Sequence, residues 1–272
     1  MSHNNKKLLF IGYGNMAKAI ALGIIESGLG KEYEIVITGR NETKAQDLCE
    51  FLRDSSKTKT TLSTLKANAP IDVQDCEVLL CVKPHAFSTF SYKGEASIVY
   101  SVMAGVSVEN IQSHIKTRNV VRVMPNVGAL YSQSASCVYI KNANNDKDAI
   151  IRLVESFGNC VLVDNEDLID ASIATSGSSP AFLALIAESL IDCGVYNGLT
   201  HTQSTELVAQ TFRGFATLLA NKSPKDIKTS ITSPSGTTAR GLAVLEKCAV
   251  RGAIMQAGIE SINRAKELNK LQ

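Results

Sequence analysis

Short apolar runs alternate with segments of helical periodicity through the first half of the chain. Residues 8–11 are continuously apolar, and Ala17, Ile20 and Ile24 follow at a helical spacing that ends at Gly28. A run without polar residues is typical of a strand buried on both faces of a parallel sheet. The pattern therefore predicts repeated βα units. Further strands are predicted at residues 34–38, 78–82, 98–103 and 120–124.

The same alternation continues to about residue 164. Residues 135–140 predict a strand, residues 142–148 are polar, residues 149–157 predict a helix, and residues 160–163 predict a final strand. Together these elements predict a sheet on the scale of eight strands. We expect a first domain that covers residues 1–164.

Strand patterns stop after this point, and residues 165–272 predict helices alone. Residues 180–193 are apolar on nearly every face, which predicts a helix buried between other helices and ending at Gly194. Thr200 and Gln203 form the pattern of a capping box before another helix. A last helical segment carries apolar residues from Leu242 to Ala265. Helices this apolar have little core of their own, so we expect a homodimer joined through this second domain.

Composition and charge narrow the class of protein. The chain has 272 residues, of which 44% are hydrophobic and 20% charged, with a formal net charge of +2. These values are ordinary for a soluble globular protein and favour neither nucleic acid nor an anionic membrane as a partner. Seven cysteines without a Cys-x-x-Cys pair indicate free thiols in a reducing compartment. Residues 1–7 are polar and the apolar runs are short, so we expect a cytoplasmic protein without a signal peptide or membrane span.

A glycine fingerprint follows the first strand. Gly12 permits a tight turn, Gly14 lets a pyrophosphate approach the backbone, and Ala17 permits close packing of helix on strand. Asn15 and Met16 complete the turn. A fingerprint of this kind can also be structural, but between a strand and a helix it predicts a Rossmann-type dinucleotide-binding domain.

The second strand bears on the choice of dinucleotide. In an NAD site it would end in an acidic residue that binds the ribose hydroxyls, whereas here it runs into Gly39, Arg40 and Asn41. Arg40 is able to pair with a 2′-phosphate, which favours NADPH and leaves NADH as an alternative. The other interpretation is that Arg40 is a solvated loop charge.

Turns after the later strands are expected at the carboxyl edge of the sheet, where open α/β sheets bind ligands. Lys83 is either a charge near the cofactor or a solvent-facing lysine, and His85 is more typical of a structural or solvated group. Asn126 suits a hydrogen bond to substrate or nicotinamide, or a role within its turn. The candidate cofactor residues of these turns are Val82, Lys83, Pro84, Ala104, Gly105 and Asn126.

Two turns with small hydroxylated residues begin helices in the second half, at residues 176–180 and 232–242. A helix start has amides without intrahelical partners and so forms an anion site, although a capped loop between helices has the same sequence features. The chain shows no paired carboxylates, no Ser/His/Asp order and no metal-binding pattern that would support hydrolysis.

These motifs resemble those of the pyrroline-5-carboxylate reductase family over nearly the whole chain. The matching stretches are residues 10–17, 82–84, 104–107, 122–126, 176–182 and 233–238. The last stretch is the most diagnostic, because it is similar to a Ser-Pro-Gly-Gly-Thr-Thr signature at a helix start.

The resemblance implies reduction of 1-pyrroline-5-carboxylate to L-proline by NAD(P)H, in a helical dimer with decamers as a further assembly. It implies that the amides of Gly236, Thr237 and Thr238, assisted by Ser233, hold the substrate carboxylate. The Thr238 hydroxyl is then the candidate hydrogen-bond partner or proton donor to the ring nitrogen, and Ser178 is a further candidate substrate contact.

Four residues depart from the family pattern. Ser235 and Ser179 replace glycines, Phe182 replaces a common Tyr, and His85 replaces a common Gln. Because a catalytically silent NADPH-binding regulator would tolerate such changes, it remains an alternative. A dehydrogenase of the hydroxyacid or 6-phosphogluconate type is the other alternative, although neither helix-start turn holds the lysine that those enzymes generally use.

Overall fold

The computed structural model describes residues 5–56, 58–66, 70–142 and 146–270. The chain divides into two compact units: unit 1 is Met1–Gly177 with Ser261–Gln272, and unit 2 is Ser178–Glu260. Unit 2 is therefore an insertion in the sequence of unit 1. The predicted limits 1–164 and 165–272 stay a prediction. Residues 1–4 and 143–145, which belong to the predicted polar stretches, lie outside the described residues.

The strands all belong to unit 1. They are β1 (Lys6–Ile11), β2 (Tyr33–Gly39), β3 (Thr61–Lys66), β4 (Ile71–Asp72), β5 (Glu77–Leu80), β6 (Tyr92–Lys93), β7 (Ile98–Ser101), β8 (Val120–Met124), β9 (Ser134–Ile140) and β10 (Gly158–Val163). Eight of them form one sheet in the order β10-β9-β8-β7-β5-β1-β2-β3, and β4 pairs with β6. Neighbouring strands are parallel except β8 and β9, which are antiparallel.

The helices of unit 1 are α1 (Asn15–Glu26), α2 (Glu42–Ser55), α3 (Pro84–Phe87), α4 (Val108–His114), α5 (Lys147–Glu155) and α6 (Asp167–Ala171). A π-helical turn, Ile173–Gly177, ends the first part of this unit. Unit 2 contains α7 (Ser179–Tyr196), α8 (His201–Asn221), α9 (Pro224–Ser230) and α10 (Thr237–Lys247). The last helix, α11 (Val250–Lys270), begins in unit 2 and ends in unit 1.

Strand β1 shows why its sequence is apolar without interruption. Leu8 and Phe10 belong to the core cluster that includes α1, whereas Leu9 and Ile11 belong to the cluster on the other face of the sheet. Successive side chains of a strand point to opposite faces, so both sets need apolar residues. The predicted strand and the eight-strand scale of the sheet are confirmed.

Strand β3 was not predicted from the sequence. It forms the edge of the sheet beside β2, and its side chains are exposed or half-buried. Because an edge strand needs fewer apolar residues, Thr61, Ser63 and Thr64 left no apolar run to detect. The strands predicted to reach residues 82 and 103 end earlier, at Leu80 and Ser101.

Two helix ends in unit 2 differ from the prediction. Helix α7 passes through Gly194 and ends at Tyr196, and Gly198 beyond it has a φ of 98°. Gly194 lies inside the helix, and it is a glycine because a Cβ there would collide with the Ser204 hydroxyl of α8. The last predicted segment is two helices, since Ala249 between α10 and α11 adopts a left-handed φ of 53°.

The predicted capping box is present at the start of α8. Thr200 Oγ1 accepts from the Gln203 amide at 3.2 Å, and Gln203 Oε1 accepts from the Thr200 amide at 3.0 Å. Reciprocal bonds of this type satisfy two amides that a helix start otherwise leaves unpaired.

Unit 2 has almost no core within one chain. Its buried residues are Ser204, Ile227 and Gly258, and α7 has none, so the predicted burial of α7 between helices is wrong for the single chain. Leu185 is 65% exposed and Met255 is 63% exposed. Apolar surface of this extent marks a region that contacts another molecule.

One helical stretch, Asp167–Tyr196, is long and apolar enough to cross a bilayer by length and composition alone. Each apolar run in the sequence is too short to cross a bilayer, but the structure joins several of these runs into one helical stretch. A helix from a helical subunit interface passes the same test, so the stretch is no evidence for a membrane.

Candidate active site

A cavity of about 610 Å³ lies in unit 1 where β1, β5, β7 and β8 end. It is therefore at the carboxyl edge of the sheet, as predicted for a ligand site in an open α/β sheet. Its walls are formed by Gly12, Tyr13, Gly14, Asn15, Met16, Gly39, Arg40, Cys81, Val82, Lys83, Pro84, Ala86, Phe90, Val102, Met103, Ala104, Met124 and Pro125.

Gly12 occupies a position that excludes any side chain. Its φ is 117°, and a Cβ would lie 2.6 Å from the Cys81 carbonyl oxygen. The Gly12 amide donates to the Thr38 carbonyl at 2.8 Å, and the Cys81 amide donates to the Ile11 carbonyl at 2.8 Å. The turn after β1 is thus fixed against both neighbouring strands, and glycine is required for this close approach.

Gly14 differs from Gly12 because the space beside it is open. It is the N-cap of α1 with an extended backbone and without a side-chain cap, and a Cβ there would meet no atom within 4 Å. The first amides of α1 therefore have no side-chain capping partner among the described residues. An uncapped helix start beside open space suits the pyrophosphate of a dinucleotide.

The end of β2 forms one wall of the cavity. Arg40 is exposed there, and the neighbouring Gly39 packs directly against the ring of Tyr13. Asn41 does not line the cavity; its side chain caps α2 by accepting from the Lys44 amide at 3.0 Å. The positive charge of Arg40 is therefore available to an anionic group at this end.

The segment after β5 contributes Cys81, Val82, Lys83 and Pro84. Lys83 is exposed and precedes α3, which begins with Pro84. Burial raises the pKa of the Cys81 thiol, so this sulfur stays protonated and is a weak nucleophile. His85 is exposed and does not line the cavity. Among the described residues of the wall, none is a carboxylate or a histidine.

The turn after β7 is shared between two cavities. Met103 and Ala104 line the main cavity, whereas Gly105, with a φ of 76°, lines a smaller one of about 240 Å³. Ser107 and Arg122 also line the smaller cavity. Of the two cofactor residues predicted in this turn, Ala104 lines the main cavity and Gly105 does not. Gly105 instead supplies the left-handed bend of the turn.

Asn126 uses its side chain within the protein. Its Nδ2 donates to the Ser176 carbonyl at 3.1 Å, and its Oδ1 accepts from the amides of Gly128 at 3.0 Å and Ala135 at 3.4 Å. Both ends of the amide are engaged, and the residue does not line the cavity. The structure therefore matches the turn role that the sequence left open.

Nine of the predicted cofactor residues come together around the cavity: Gly12, Gly14, Asn15, Met16, Arg40, Val82, Lys83, Pro84 and Ala104. Ala17 does not join them because it is fully buried on the inner face of α1, and Asn41, Gly105 and Asn126 have the other positions described above. The cavity wall also contains nine residues that were not among the predicted cofactor contacts: Tyr13, Gly39, Cys81, Ala86, Phe90, Val102, Met103, Met124 and Pro125. Tyr13 had a detectable signal, since it is the variable residue inside the glycine fingerprint.

The predicted substrate turn lies in unit 2. The Gly236 amide donates to the Ser233 carbonyl at 3.1 Å, which closes a four-residue turn with Pro234 at its second position. Ser235, at the third position, has a φ of 60°. This is the pattern of a type II turn, which normally has glycine at the third position. The turn therefore keeps its type II shape, although the serine at its third position is strained there.

Helix α10 begins at this turn without a side-chain cap. Gly236 is the N-cap, and a Cβ there would collide with the Ser233 hydroxyl. Thr237 is exposed and Thr238 is half-buried, and within the described chain neither hydroxyl has a hydrogen-bond partner. The turn thus presents the amides and hydroxyl groups of Thr237 and Thr238, as an anion site requires. The Gly236 amide, also predicted to bind the substrate, is already engaged by the Ser233 carbonyl. Ser178 lies at the start of α7, half-buried and without a capping bond.

Metal ligands give no competing site. The described residues contain no group of three or more His, Cys, Asp or Glu side chains that could hold a metal ion.

Two family models match the chain. The model for pyrroline-5-carboxylate reductase dimerisation matches residues 166–268. The model for NADP oxidoreductase, coenzyme F420-dependent, matches residues 7–105. A pyrroline-5-carboxylate reductase of Helicobacter pylori strain J99 is 40% identical over 260 residues, which cover 95% of this chain and 98% of the relative.

The chain belongs to the pyrroline-5-carboxylate reductase family. The resemblance read from the sequence motifs is confirmed, and the chain is an oxidoreductase. Its Rossmann-type sheet and its helical region, which matches the dimerisation model of the family, are those expected.

Solved pyrroline-5-carboxylate reductases have the same fold. The Streptococcus pyogenes enzyme superposes with a TM-score of 0.81 at 27% identity, covering 97% of this chain and 99% of that one. A Plasmodium falciparum pyrroline carboxylate reductase with NADP bound has a TM-score of 0.73 at 26% identity, covering 98% of this chain and 99% of that one. The cofactor of this reductase is accordingly a nicotinamide dinucleotide.

Proposed function

We propose that the chain reduces 1-pyrroline-5-carboxylate to L-proline with NADPH bound in the cavity of unit 1. The observation that carries the proposal is the turn after β1, where Gly12 fixes the backbone and Gly14 leaves open space at an uncapped helix start. Such a start favours a pyrophosphate. The proposed cofactor contacts are the cavity residues predicted from the sequence, together with Tyr13.

The topology of the sheet orients this cofactor. Strand β1 lies between β2 on one side and β5, β7 and β8 on the other. A dinucleotide with its pyrophosphate at β1 and its adenosine ribose at the end of β2 extends its nicotinamide over the other three strand ends. Met103, Ala104, Met124 and Pro125 then form one wall of the cavity, which we call the nicotinamide wall.

Arg40 supports NADPH in preference to NADH. It is exposed at the end of β2, where a carboxylate would bind the ribose hydroxyls of NADH and repel a 2′-phosphate. The nearest acidic residue in sequence, Glu42, pairs with Lys66 at 3.5 Å. A guanidinium is well suited to a phosphate because it forms charge-assisted bonds in a fixed geometry.

The turn at residues 233–238 is the proposed substrate site. The amides of Thr237 and Thr238 hold the carboxylate, with help from the Ser233 hydroxyl, whereas the Gly236 amide stays engaged by the Ser233 carbonyl and fixes the turn. Ser178 is proposed as a further contact, since its hydroxyl lies at another uncapped helix start. The Thr238 hydroxyl is left for the ring nitrogen, because it is half-buried and has no partner among the described residues.

The reaction needs little acid–base catalysis from the protein. NADPH supplies a hydride to the carbon of the C=N bond, and a cyclic imine is basic enough to arrive partly as an iminium. The ring nitrogen then needs no further proton. The lack of carboxylate and histidine among the described wall residues suits a site that works by positioning its two reactants.

The exposed apolar surface of unit 2 supports a homodimer, and a further assembly into decamers is part of the proposal. We place the enzyme in the cytoplasm, with neither nucleic acid nor membrane as a partner, because its charge is nearly balanced and its cysteines are free thiols.

The deciding experiment follows the absorbance of NADPH after addition of 1-pyrroline-5-carboxylate, and then repeats the assay with NADH. We expect turnover with both at a kcat/KM that is higher for NADPH. Binding of NADPH without turnover would instead favour a silent regulator, and a preference for NADH would refute the role of Arg40.

The role of the Thr238 hydroxyl is tested by Thr238→Val, which keeps the shape of the side chain. A lost hydrogen bond to a charged group is worth about 1.5 kcal/mol or more, so we expect kcat/KM for the imine to fall about tenfold or more. Thr237→Val is the matched control, since only the amide of Thr237 is used. An unchanged Thr238→Val enzyme would remove the hydroxyl from the mechanism while leaving the amide site intact.

A further inference from the structure

Arg122, in the middle of β8, is a buried cation that contacts two carboxylates. Its side chain is 4% exposed, its Nη1 lies 3.1 Å from Glu166 Oε1, and its Nη2 lies 3.4 Å from Asp170 Oδ1. Its Nε is buried and has no partner among the described residues. A buried arginine must be paired to be tolerated, so Glu166 and Asp170 fix this side chain in place.

Glu166 has a second contact, which leads to the cofactor cavity. Its Oε1 also accepts from the Val108 amide at 2.7 Å. Val108 is the first residue of α4, and the turn before it contains Met103 and Ala104 of the nicotinamide wall. One carboxylate oxygen therefore joins β8, through Arg122, to the end of the turn that forms this wall.

Both sides of the nicotinamide wall depend on the elements that meet at Glu166. Arg122 is two residues before Met124 on β8, and Val108 closes the turn that starts at Met103. The bond from Glu166 to Val108 is charge-assisted and short, which makes it stronger than a neutral bond. Its loss would free the residues 103–107 turn, in which Gly105 already has a left-handed backbone.

We propose that Glu166, held by Arg122, is a positioning residue that fixes the nicotinamide wall of the cofactor cavity. The inference rests on the proposed function, because it uses the orientation of NADPH given above. Glu166 touches neither cofactor nor substrate in this role. It acts through the Val108 amide on the distance and angle at which the hydride donor is held.

The test compares Glu166→Gln with Glu109→Gln. Glutamine at 166 keeps the size of the side chain but removes the charge that Arg122 and Val108 share. Glu109 is the matched control, because it is exposed on α4 next to Val108 and makes no hydrogen bond or ion pair with any other described residue. Arg122→Lys is a second variant that keeps the charge and loses the fork geometry.

Small displacements of reacting groups cost up to about a hundredfold in rate, so we expect kcat of Glu166→Gln to fall about ten- to a hundredfold. The inhibition constant of 2′,5′-ADP, which occupies the adenosine end alone, should stay within about twofold of the wild type. Without any cofactor, amide hydrogen exchange should rise at residues 103–108 and stay unchanged in β1 and β2. Arg122→Lys should show a smaller change in the same direction, and Glu109→Gln none.

Wild-type kcat in Glu166→Gln would overturn the inference. So would an equal loss of 2′,5′-ADP binding together with faster exchange throughout the sheet, since that result means general destabilisation. Absence of turnover in the wild-type chain would instead count against the proposed function, and the exchange measurement would still decide whether Glu166 holds the turn.

Discussion

The two units use apolar residues in opposite ways. In unit 1 the side chains of Phe10, Ile20 and Ile24 are fully buried by the chain itself, whereas in unit 2 Leu185 and Met255 are more than half exposed. The sequence composition of the two regions does not show this difference, because both are rich in aliphatic residues. Burial depends on the layers that a unit possesses: a sheet with helices on it makes a core, and these few helices do not. Unit 2 therefore needs a second chain.

A charge placed on the exposed apolar surface of unit 2 should have the largest effect. Leu185→Glu would bury an unpaired carboxylate in the proposed dimer, at a cost of about 3 kcal/mol or more, which corresponds to over a hundredfold in Kd. Sedimentation velocity should show monomers. The control is Tyr131→Glu, at a residue of unit 1 that is 83% exposed, and it should leave the dimer intact. Dimers of Leu185→Glu would show that this surface has another use.

Shortening one apolar side chain in each unit distinguishes a core formed within one chain from a core formed between two chains. Ile24→Ala removes a fully buried side chain, so we expect the free energy of unfolding to fall by about 2–5 kcal/mol at every protein concentration. Leu185→Ala should have an effect that changes with concentration, because its burial depends on association. Urea unfolding at several concentrations measures both. A concentration-independent effect of Leu185→Ala would contradict the dimer.

Unit 1 also contains a buried polar network, which makes it sensitive to high pH. The hydroxyls of Tyr33 and Tyr100 donate to Glu77 Oε2 at 3.2 and 3.1 Å. Burial, and secondly the charge of Glu77, raises the pKa of both hydroxyls above 10.0. Their contribution to stability is complete below the unfolded-state pKa and is lost as the pH rises above it. Lys6 also reaches Glu77, at 3.4 Å, but it is exposed and contributes little.

Above that pH we expect the free energy of unfolding to fall by about 1.4 kcal/mol per pH unit for each hydroxyl. Urea titrations across the alkaline range should give a shallower slope for Tyr100→Phe than for the wild type. Tyr131→Phe, at an exposed position, should not alter the slope. Identical slopes for all three proteins would mean that the network does not govern alkaline unfolding.

The smallest expected effect concerns the substrate turn of unit 2. Ser235 has a φ of 60°, so Ser235→Gly relieves backbone strain and should stabilise the protein by about 1 kcal/mol. Ala249→Gly, at a φ of 53° between α10 and α11, is a control with the same backbone and no proposed contact with substrate. The midpoint temperature of thermal unfolding should rise for both variants. A loss of stability in Ser235→Gly alone would show that its side chain makes a contact worth more than the strain.

Local patterns were enough for the elements that depend on local physics. The buried strand and glycine turn at residues 8–17 and the capping box at Thr200 are each decided by neighbours in sequence, and all are present. Strand β3 was missed because an edge strand needs little apolar surface. Gly194 was misread as a helix end because its reason for being glycine, the hydroxyl of Ser204, belongs to another helix.

The candidate site likewise contains some residues that local sequence patterns predict and others that they do not. Turns that follow strands at the carboxyl edge of a parallel sheet are predictable, and most residues chosen from them line the cavity. The pairing of Arg122 with Glu166 was not predictable, because the two residues are 44 positions apart and each looks like an ordinary charged residue. Asn126 was open to two interpretations, since only its three-dimensional neighbours show that its amide is already engaged.

The path of α11 has a consequence for how the protein is made. Ile262 and Ala265, in the part of this helix that belongs to unit 1, pack with Met124, Cys137 and Ile169. A ribosome synthesises these two residues after all of unit 2. During translation, Met124, Cys137 and Ile169 therefore stay without these packing partners until α11 has left the exit tunnel. A nascent chain that stops before residue 261 therefore lacks part of the core of unit 1.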